Sequence, residues 1–226
     1  KNEIEKLSKN YPKKKIFLLG ESMGGAIVMS LAISEKKLPI SGIILVAPAI
    51  WNFTEKNFIK SKFMKTLSKI LPNISVDGKD WVNVRASDNN EMLKKLANNK
   101  YFIHQPNFKS LYGIIELMDT SFKNAEFFFE HSDYRTLLLI PIKDEIVPRK
   151  PLIELLNKPK IKKKNNKNIK LMIFQSSFHM MLRDLNGNLI TNKIKDWILE
   201  KNIENSLNLR TGGKKLNNLN FFHILD

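Results

Sequence analysis

The sequence predicts an α/β protein in which short buried strands alternate with helices and a helical segment is inserted between the second and third strands. Four apolar runs rich in aliphatic and β-branched residues carry the strand prediction, and stretches of helical periodicity separate them. These runs are 16–19, 40–46, 136–140 and 169–174. Strands that alternate with helices favour a parallel sheet, whose functional groups gather at the carboxyl ends of the strands.

The first part of the predicted core is residues 1–50. Ile4 and Leu7 have a helix-like spacing within residues 1–10, and Pro12 ends that pattern before the first strand. A small-residue helix is expected after the first strand, and the polar stretch 35–39 separates it from the second strand.

Residues 51–134 are expected to form a helical cap inserted into the core. Ile59, Phe63 and Leu67 recur at helical spacing with lysines between them, and Leu111, Ile114, Ile115 and Met118 share one face of a later segment. The predicted cap helices are 56–71, 91–96 and 108–122. The basic first helix is read either as an ordinary cap helix or as a surface for peripheral membrane contact.

The rest of the core is expected over residues 135–204. A helix begins at Leu152, a turn falls at 186–188, and a closing helix covers 189–203. Residues 205–226 are rich in Asn, with a Gly pair, and predict a loose tail.

The segment between the first strand and its helix matches the pattern Gly-x-Ser-x-Gly at residues 20–24. In such a turn Ser22 has a strained backbone that raises its hydroxyl above the sheet, and glycines at 20 and 24 remove Cβ atoms that would collide. The following helix points its N-terminus at Ser22, so its free N–H groups, starting with that of Met23, favour an oxyanion there.

Composition excludes several classes of site. The 226 residues include no cysteine, which rules out disulfides, thiolate metal sites and a cysteine nucleophile, and fits a cytoplasmic location. No apolar run is long enough to span a membrane, and residues 1–20 lack the order of a signal peptide.

The net charge of +16 suggests either a nucleic-acid or anionic-membrane partner, or a genome that fills solvated positions with Lys, Asn and Ile. The lysine-rich stretch 158–167 contains no aromatic residue on which a base could stack, so it predicts a solvated loop and no nucleic-acid partner.

Three residues at predicted strand ends form a candidate catalytic triad. Ser22, Asp144 and His179 occur in the order nucleophile, acid, base, with the cap between the first two. In that arrangement His179 accepts the Ser22 proton and Asp144 orients the imidazole. Two alternatives stay open: Ser22 as an ordinary turn serine, and Glu145 or Asp133 as the acid.

The remaining candidate polar residues do not predict a further catalytic or metal site. Asp184 is expected to cap a helix or to pair with Arg183. His104, His131 and His223 have no partners at metal-ligand spacing, so neither a metal nor a cofactor is predicted.

Four segments together carry a family resemblance: 20–25, 71–73, 144–148 and 179–184. From about residue 15 to 199 the chain resembles the monoacylglycerol lipase and lysophospholipase branch of the α/β hydrolases, which is also described as serine aminopeptidase-like. The resemblance implies an α/β-hydrolase fold with a cap that receives an acyl chain from a monoacylglycerol or lysophospholipid-like ester. Its acyl-binding residues would include Phe63, Leu67, Leu111 and Ile115.

Two features depart from that family pattern. Pro141 stands where the family usually has glycine, three residues before the acid, and nothing matches the family's His-Gly loop that donates a second oxyanion N–H. Because the chain begins at Lys1, close to the first apolar run, we expect upstream strands of the family fold to lie outside it. The rival predictions are therefore an active serine esterase, an inactive remnant or subunit that needs an upstream segment, and a nucleic-acid or membrane binder.

Overall fold

The computed structural model describes residues 1–35, 37–77, 84–161 and 168–200. Within them, four parallel strands form one sheet in the order β1-β2-β3-β4. The strands are β1 Phe17–Glu21, β2 Gly42–Val46, β3 Thr136–Pro141 and β4 Ile169–Phe174. The helices are α1 Asn2–Asn10, α2 Met23–Ser34, α3 Phe53–Lys56, α4 Phe58–Ile70, α5 Asn90–Ala97, α6 Phe108–His131, α7 Arg149–Leu156 and α8 Gly187–Ile198. A short 3-10 turn occupies Met181–Arg183.

The two central strands are buried along their whole length. Every residue of β2 and β3 is buried because helices cover both faces of the sheet. One face packs against α2, α6 and α7, and the other packs against α8. The predicted α/β class is confirmed, and each predicted strand lies within two residues of an observed one.

The first strand lies at an edge of the described sheet. Each residue of β1 pairs with β2, from Phe17 opposite Gly42 to Glu21 opposite Val46. Leu19 is 46% exposed although its neighbours are more buried. The edge strand therefore presents an apolar side chain and backbone groups to solvent.

Among the described residues between β2 and β3, four helices, α3 to α6, lie where the cap was expected. The first predicted cap helix, 56–71, corresponds to α4, and the short helix α3 precedes it. Asn57 separates the two, because its φ of −136° is not helical. The bounds 51–134 for the cap stay a prediction, as do 1–50 and 135–204 for the core. The predicted tail, 205–226, and lysines within 162–167 lie outside the described residues.

The prediction that the third cap helix ends at residue 122 was wrong, because α6 continues to His131. Ser121, Ala125 and Phe128 continue a buried stripe at helical spacing, and no Gly or Pro interrupts it. The second half of α6 packs in the sheet core beside α2, where Asn124 Nδ2 donates to Ser30 Oγ at 2.8 Å. One helix therefore belongs to both the cap and the core.

Three further boundaries differ from prediction. Helix α7 begins at Arg149 rather than Leu152, because Pro151 lies in its first turn, where a missing N–H has no cost. Gly187, predicted as part of a turn, is the first residue of α8. The closing helix ends at Ile198, not at residue 203. Glu200 has a φ of 58°, which lies outside the right-handed helical region, so the helix does not continue past it.

Candidate active site

Ser22 lies at the sharp turn between β1 and α2. Its backbone has φ 53° and ψ −118°, the strained conformation that the sequence motif predicts. Its N–H donates to Val46 O at 2.9 Å, and its carbonyl accepts from Gly25 N at 3.0 Å and Ala49 N at 2.9 Å. These bonds hold the strained residue against the end of β2.

Two of the three glycines around Ser22 have a steric reason to be there. A Cβ on Gly20 would lie 2.4 Å from Gly24 O, and a Cβ on Gly25 would lie 2.8 Å from Pro48 Cβ. A Cβ on Gly24 would meet nothing within 4 Å, so the prediction that this glycine avoids a collision was wrong. The close approach is made by Gly20 and Gly25 instead.

The histidine loop, residues 175–186 after β4, brings His179 to Ser22. His179 Nε2 lies 2.8 Å from Ser22 Oγ, and His179 Nδ1 lies 2.8 Å from Asp144 Oδ2. Because an ionised carboxylate only accepts, Nδ1 carries the proton and Nε2 is free to accept the Ser22 hydroxyl proton. The three residues therefore form a continuous hydrogen-bonded chain.

The acid loop, residues 142–148 after β3, uses both oxygens of Asp144. Oδ1 accepts from Ile146 N at 2.8 Å and from Val147 N at 2.9 Å, which leaves Oδ2 to face His179. Pro141 is the last residue of β3 and pairs with Phe174, so the proline in place of glycine leaves the carboxylate within reach of the imidazole.

The alternative acids lie elsewhere. Glu145 Oε2 accepts from Arg85 N at 2.7 Å. Asp133 lies just before β3, at the amino end of the sheet, where it lines a cavity of about 590 Å³. The geometry therefore favours Asp144 as the partner of His179.

The side chains of two candidate triad residues are almost completely buried. The side chain of His179 is 6% exposed and that of Asp144 is 4% exposed. Electrostatic interactions are stronger in such a low-dielectric environment than in water, so a carboxylate there stabilises a positive charge on the imidazole effectively.

Met23, the predicted oxyanion donor, is the first residue of α2. Its N–H lies in the first turn, where helical N–H groups have no intrahelical acceptor, and the positive end of the helix dipole faces the same region. The role of this N–H as a donor to an oxyanion beside Ser22 stays a prediction.

The four predicted acyl-binding residues have different environments. Ile115 is buried on α6, Leu67 and Leu111 are half-buried, and Phe63 on α4 is 57% exposed. The structure thus places them on the two packed cap helices, and their role in acyl binding stays a prediction.

No helix among the described residues is long and apolar enough to cross a membrane. Across the same ranges, no three His, Cys, Asp or Glu side chains group so that they could hold a metal ion. His104 and His131 are exposed and each approaches a backbone carbonyl, while His223 lies outside the described residues.

The prediction that Asp184 caps a helix or pairs with Arg183 was wrong. Its carboxylate is buried, accepting from Ser87 Oγ at 2.6 Å and from Phe178 N at 2.8 Å. Sequence reasoning missed Ser87, because no periodicity or spacing relates two residues that lie 97 positions apart.

Comparison with known proteins gives the chain relatives. The family described as serine aminopeptidase, S33, matches residues 1–186. Monoglyceride lipase of Rattus norvegicus is 42% identical over 74 residues, which cover 32% of this chain and 24% of that protein. Monoglyceride lipase of Mus musculus is 25% identical over 198 residues, covering 86% of this chain and 62% of that protein. The chain therefore spans less than two thirds of the length of these relatives.

Solved structures show the same fold at low identity. The monoacylglycerol lipase of Paleococcus ferrophilus aligns with a TM-score of 0.66 and 20% identity over 88% of this chain and 73% of that one. A soluble variant of the Saccharomyces cerevisiae monoglyceride lipase, in complex with a substrate analog, aligns with a TM-score of 0.68 and 18% identity over 90% and 68% of the two chains. These similarities confirm the predicted α/β-hydrolase fold. Since the family match covers most of its residues, the chain belongs to the serine aminopeptidase, S33, family of α/β hydrolases.

Proposed function

We propose that the protein is a serine esterase that cleaves a carboxylic ester through an acyl-enzyme on Ser22. The observation that carries the proposal is the pair of 2.8 Å contacts linking Ser22 Oγ, the His179 imidazole and Asp144 Oδ2. The strained conformation of Ser22 supports it, because strain in a backbone is retained where the surrounding structure and the chemistry require it.

The reaction follows from these positions. As Ser22 Oγ attacks the ester carbonyl carbon, its proton moves to His179 Nε2, and the carbonyl electron pair moves to the oxygen beside Met23 N–H. Collapse of this intermediate breaks the ester C–O bond, and His179 returns the proton to the leaving alcohol. Water, activated by the same histidine, then releases the acyl group from Ser22.

The substrate proposed is a monoacylglycerol or lysophospholipid-like ester. The relatives named monoglyceride lipase support it, and the cap supplies apolar side chains above the core, including Leu67, Leu111 and Ile115. We expect esters of medium and long acyl chains to react faster than acetyl esters. Equal kcat/KM across acyl lengths would contradict an acyl-binding cap.

The nucleophile is tested by labelling with a fluorophosphonate probe. Ser22→Ala is expected to abolish both labelling and esterase activity, because it removes the attacking oxygen. Ser176→Ala is the matched control, since this serine lies in the same histidine loop and its side chain is exposed to solvent. Labelling of the Ser22→Ala protein at full strength would refute the assignment.

We also propose that helix α4 makes peripheral contact with an anionic lipid surface. It buries only Ser61 and leaves Ile59, Phe63 and Ile70 mostly exposed. Lysines at 60, 62, 65 and 69 stand among these apolar side chains, a combination suited to an interface between acyl chains and anionic head groups.

A second candidate function is favoured by the edge of β1. In this alternative the chain is an inactive subunit, and another extended segment completes it by pairing with the edge of β1, where Leu19 is exposed. Comparing the 226-residue chain with a version extended upstream separates the two candidates. The subunit function predicts that esterase rate and soluble yield rise together in the extended protein, and the esterase proposal for this chain alone predicts equal rates.

A further inference from the structure

Residues 84–89, here called the cap strap, contact both loops that carry the candidate catalytic residues. On the acid loop, Arg85 N donates to Glu145 Oε2 at 2.7 Å. On the histidine loop, Met180 N donates to Ala86 O at 2.9 Å, and Asn89 Nδ2 donates to Arg183 O at 3.1 Å. A short piece of the cap thus joins two loops that come from different strands.

The centre of this contact is a buried pair, Ser87 and Asp184. Ser87 has no exposed surface and Asp184 is 6% exposed. Asp184 Oδ1 accepts from Ser87 Oγ, and Oδ2 accepts from the backbone N–H of Phe178. Burial raises the pKa of this carboxyl, and its hydrogen bonds to Ser87 and Phe178 oppose that rise.

The bonds converge on the two neighbours of His179. Phe178 donates its N–H to Asp184, and Met180 donates its N–H to the cap strap. The peptide that carries the imidazole is therefore held on both sides by groups that do not themselves touch Ser22. Arg85 adds a cation–π contact, with its guanidinium carbon 5.0 Å from the centre of the Phe178 ring.

We propose that Asp184 and Ser87 are positioning residues, which hold the backbone of Phe178 and His179 so that the imidazole stays within reach of Ser22. This inference rests on the proposed esterase function. A displacement of about 1 Å in a catalytic group can lower turnover about a hundredfold, so a buried hydrogen bond one residue from the base has a direct effect on rate.

The first test compares kcat and KM for a short, soluble ester in the full 226-residue chain. Asp184→Ala is expected to lower kcat about a hundredfold and Ser87→Ala about tenfold, with KM changed less than about twofold, because ground-state binding is untouched. Asp184→Asn is the conservative variant. Its amide oxygen can still accept from Phe178 N and its amide nitrogen can donate to Ser87 Oγ, so it should keep at least about a third of kcat.

Asp88→Ala is the matched control. Asp88 Oδ1 accepts from Leu185 N at 2.8 Å, a bond between the same strap and the same loop that does not involve a neighbour of His179. A merely structural role predicts that Asp88→Ala and Ser87→Ala lower kcat equally. The proposal predicts that Asp88→Ala keeps kcat within about twofold while Ser87→Ala does not.

A second readout does not depend on turnover. The proton on His179 Nδ1, donated to Asp144, should give a low-field NMR resonance that His179→Gln removes. Ser87→Ala should broaden or shift this resonance and Asp88→Ala should leave it in place. If the wild-type protein has no esterase activity, the proposed function fails, and this resonance still tests positioning.

Three results would overturn the inference: a folded Asp184→Ala or Ser87→Ala protein with kcat within about threefold of wild type, equal losses in Ser87→Ala and Asp88→Ala, or an unchanged resonance in Ser87→Ala. If Asp184→Ala does not fold, Ser87→Ala decides the question, because it deletes one hydroxyl and leaves the Phe178 bond to Asp184 intact.

Discussion

The sheet core and the cap differ in how they use their apolar residues. Strands β2 and β3 bury every residue between helices, whereas α4 buries only Ser61 and leaves large apolar side chains exposed. The cap is tied to itself by polar bonds: Thr54 donates from both N and Oγ1 to the carboxylate of Asp119, and Thr54 Oγ1 contacts Ser61 Oγ.

This difference separates the part of the protein that positions the candidate triad from the part that faces solvent. Ser22 and the loops carrying Asp144 and His179 come from the ends of β1, β3 and β4, so the packing of the sheet sets the distances among the three side chains. The outer face of α4 has little buried surface to lose, so it can vary with little cost to folding. Changes near the sheet should therefore alter chemistry or stability strongly, and changes at the most exposed residue of α4, Ile59, should leave both nearly unchanged.

The largest effect is expected for Asp144→Asn. The amide keeps the shape but can favour the wrong imidazole tautomer, so kcat should fall about ten thousandfold. Glu145→Gln is the matched control, since its side chain faces Arg85 rather than His179, and kcat should stay within about threefold. Steady-state kinetics with one soluble ester measures both. A larger loss in Glu145→Gln would identify the neighbouring carboxylate as the acid.

The next effect concerns two glycines of one motif. Gly20→Ala should destabilise the protein by at least about 3 kcal/mol, because the new methyl group collides with backbone at the turn. Gly24→Ala meets open space within α2 and should leave the free energy of unfolding unchanged or raise it by up to about 1 kcal/mol. Urea unfolding of the two variants measures the difference, and equal destabilisation would show that both positions need glycine.

A smaller effect is expected for the pH dependence of stability at Asp184. Since burial raises the pKa of this carboxyl above 3.8, its stabilising contribution is present below that pH and is lost as pH rises through the folded-state pKa. The stability of the wild type relative to Asp184→Asn should therefore fall between pH 4 and pH 7.

Asp88 also raises the pKa of Asp184 through its charge, so the comparison is repeated in an Asp88→Asn background. Urea unfolding at both pH values measures the difference in free energy. A relative stability that rises with pH would mean that the Asp184 pKa is lowered in the folded protein.

The smallest effect on folding is expected on the outer face of the cap. Ile59→Ala, at a residue 82% exposed, should change the free energy of unfolding by less than about 0.5 kcal/mol. The same substitution at buried Ile115 should cost about 2 kcal/mol or more.

Membrane contact through α4 makes a separate prediction for the same pair. Binding to vesicles that contain anionic phosphatidylglycerol should weaken about tenfold in Ile59→Ala, because the lost methyl and methylene groups no longer enter the interface. Binding of the folded Ile115→Ala protein should be unchanged. Co-sedimentation measures this, and equal binding by wild type and Ile59→Ala would argue against the lipid surface.

Local chemistry in the sequence determined the strands, the strained turn and the order of the candidate triad. Runs such as 136–140 are apolar enough to be buried on both faces, and the motif at 20–24 needs only neighbouring residues to impose its turn. The continuation of α6 was also readable, because Ser121, Ala125 and Phe128 keep the helical spacing.

Tertiary structure decided the contacts between residues that lie far apart in the sequence. Gly25 is needed because Pro48 approaches it, and Gly24 is not, a difference that no local pattern carries. Asp144 faces His179 while Glu145 faces Arg85, since the direction of each carboxylate follows from the loop bonds around it. Asp184 meets Ser87 only because the sheet brings the histidine loop against the cap strap, and the partners of a buried carboxylate are set by that packing rather than by its neighbours in sequence.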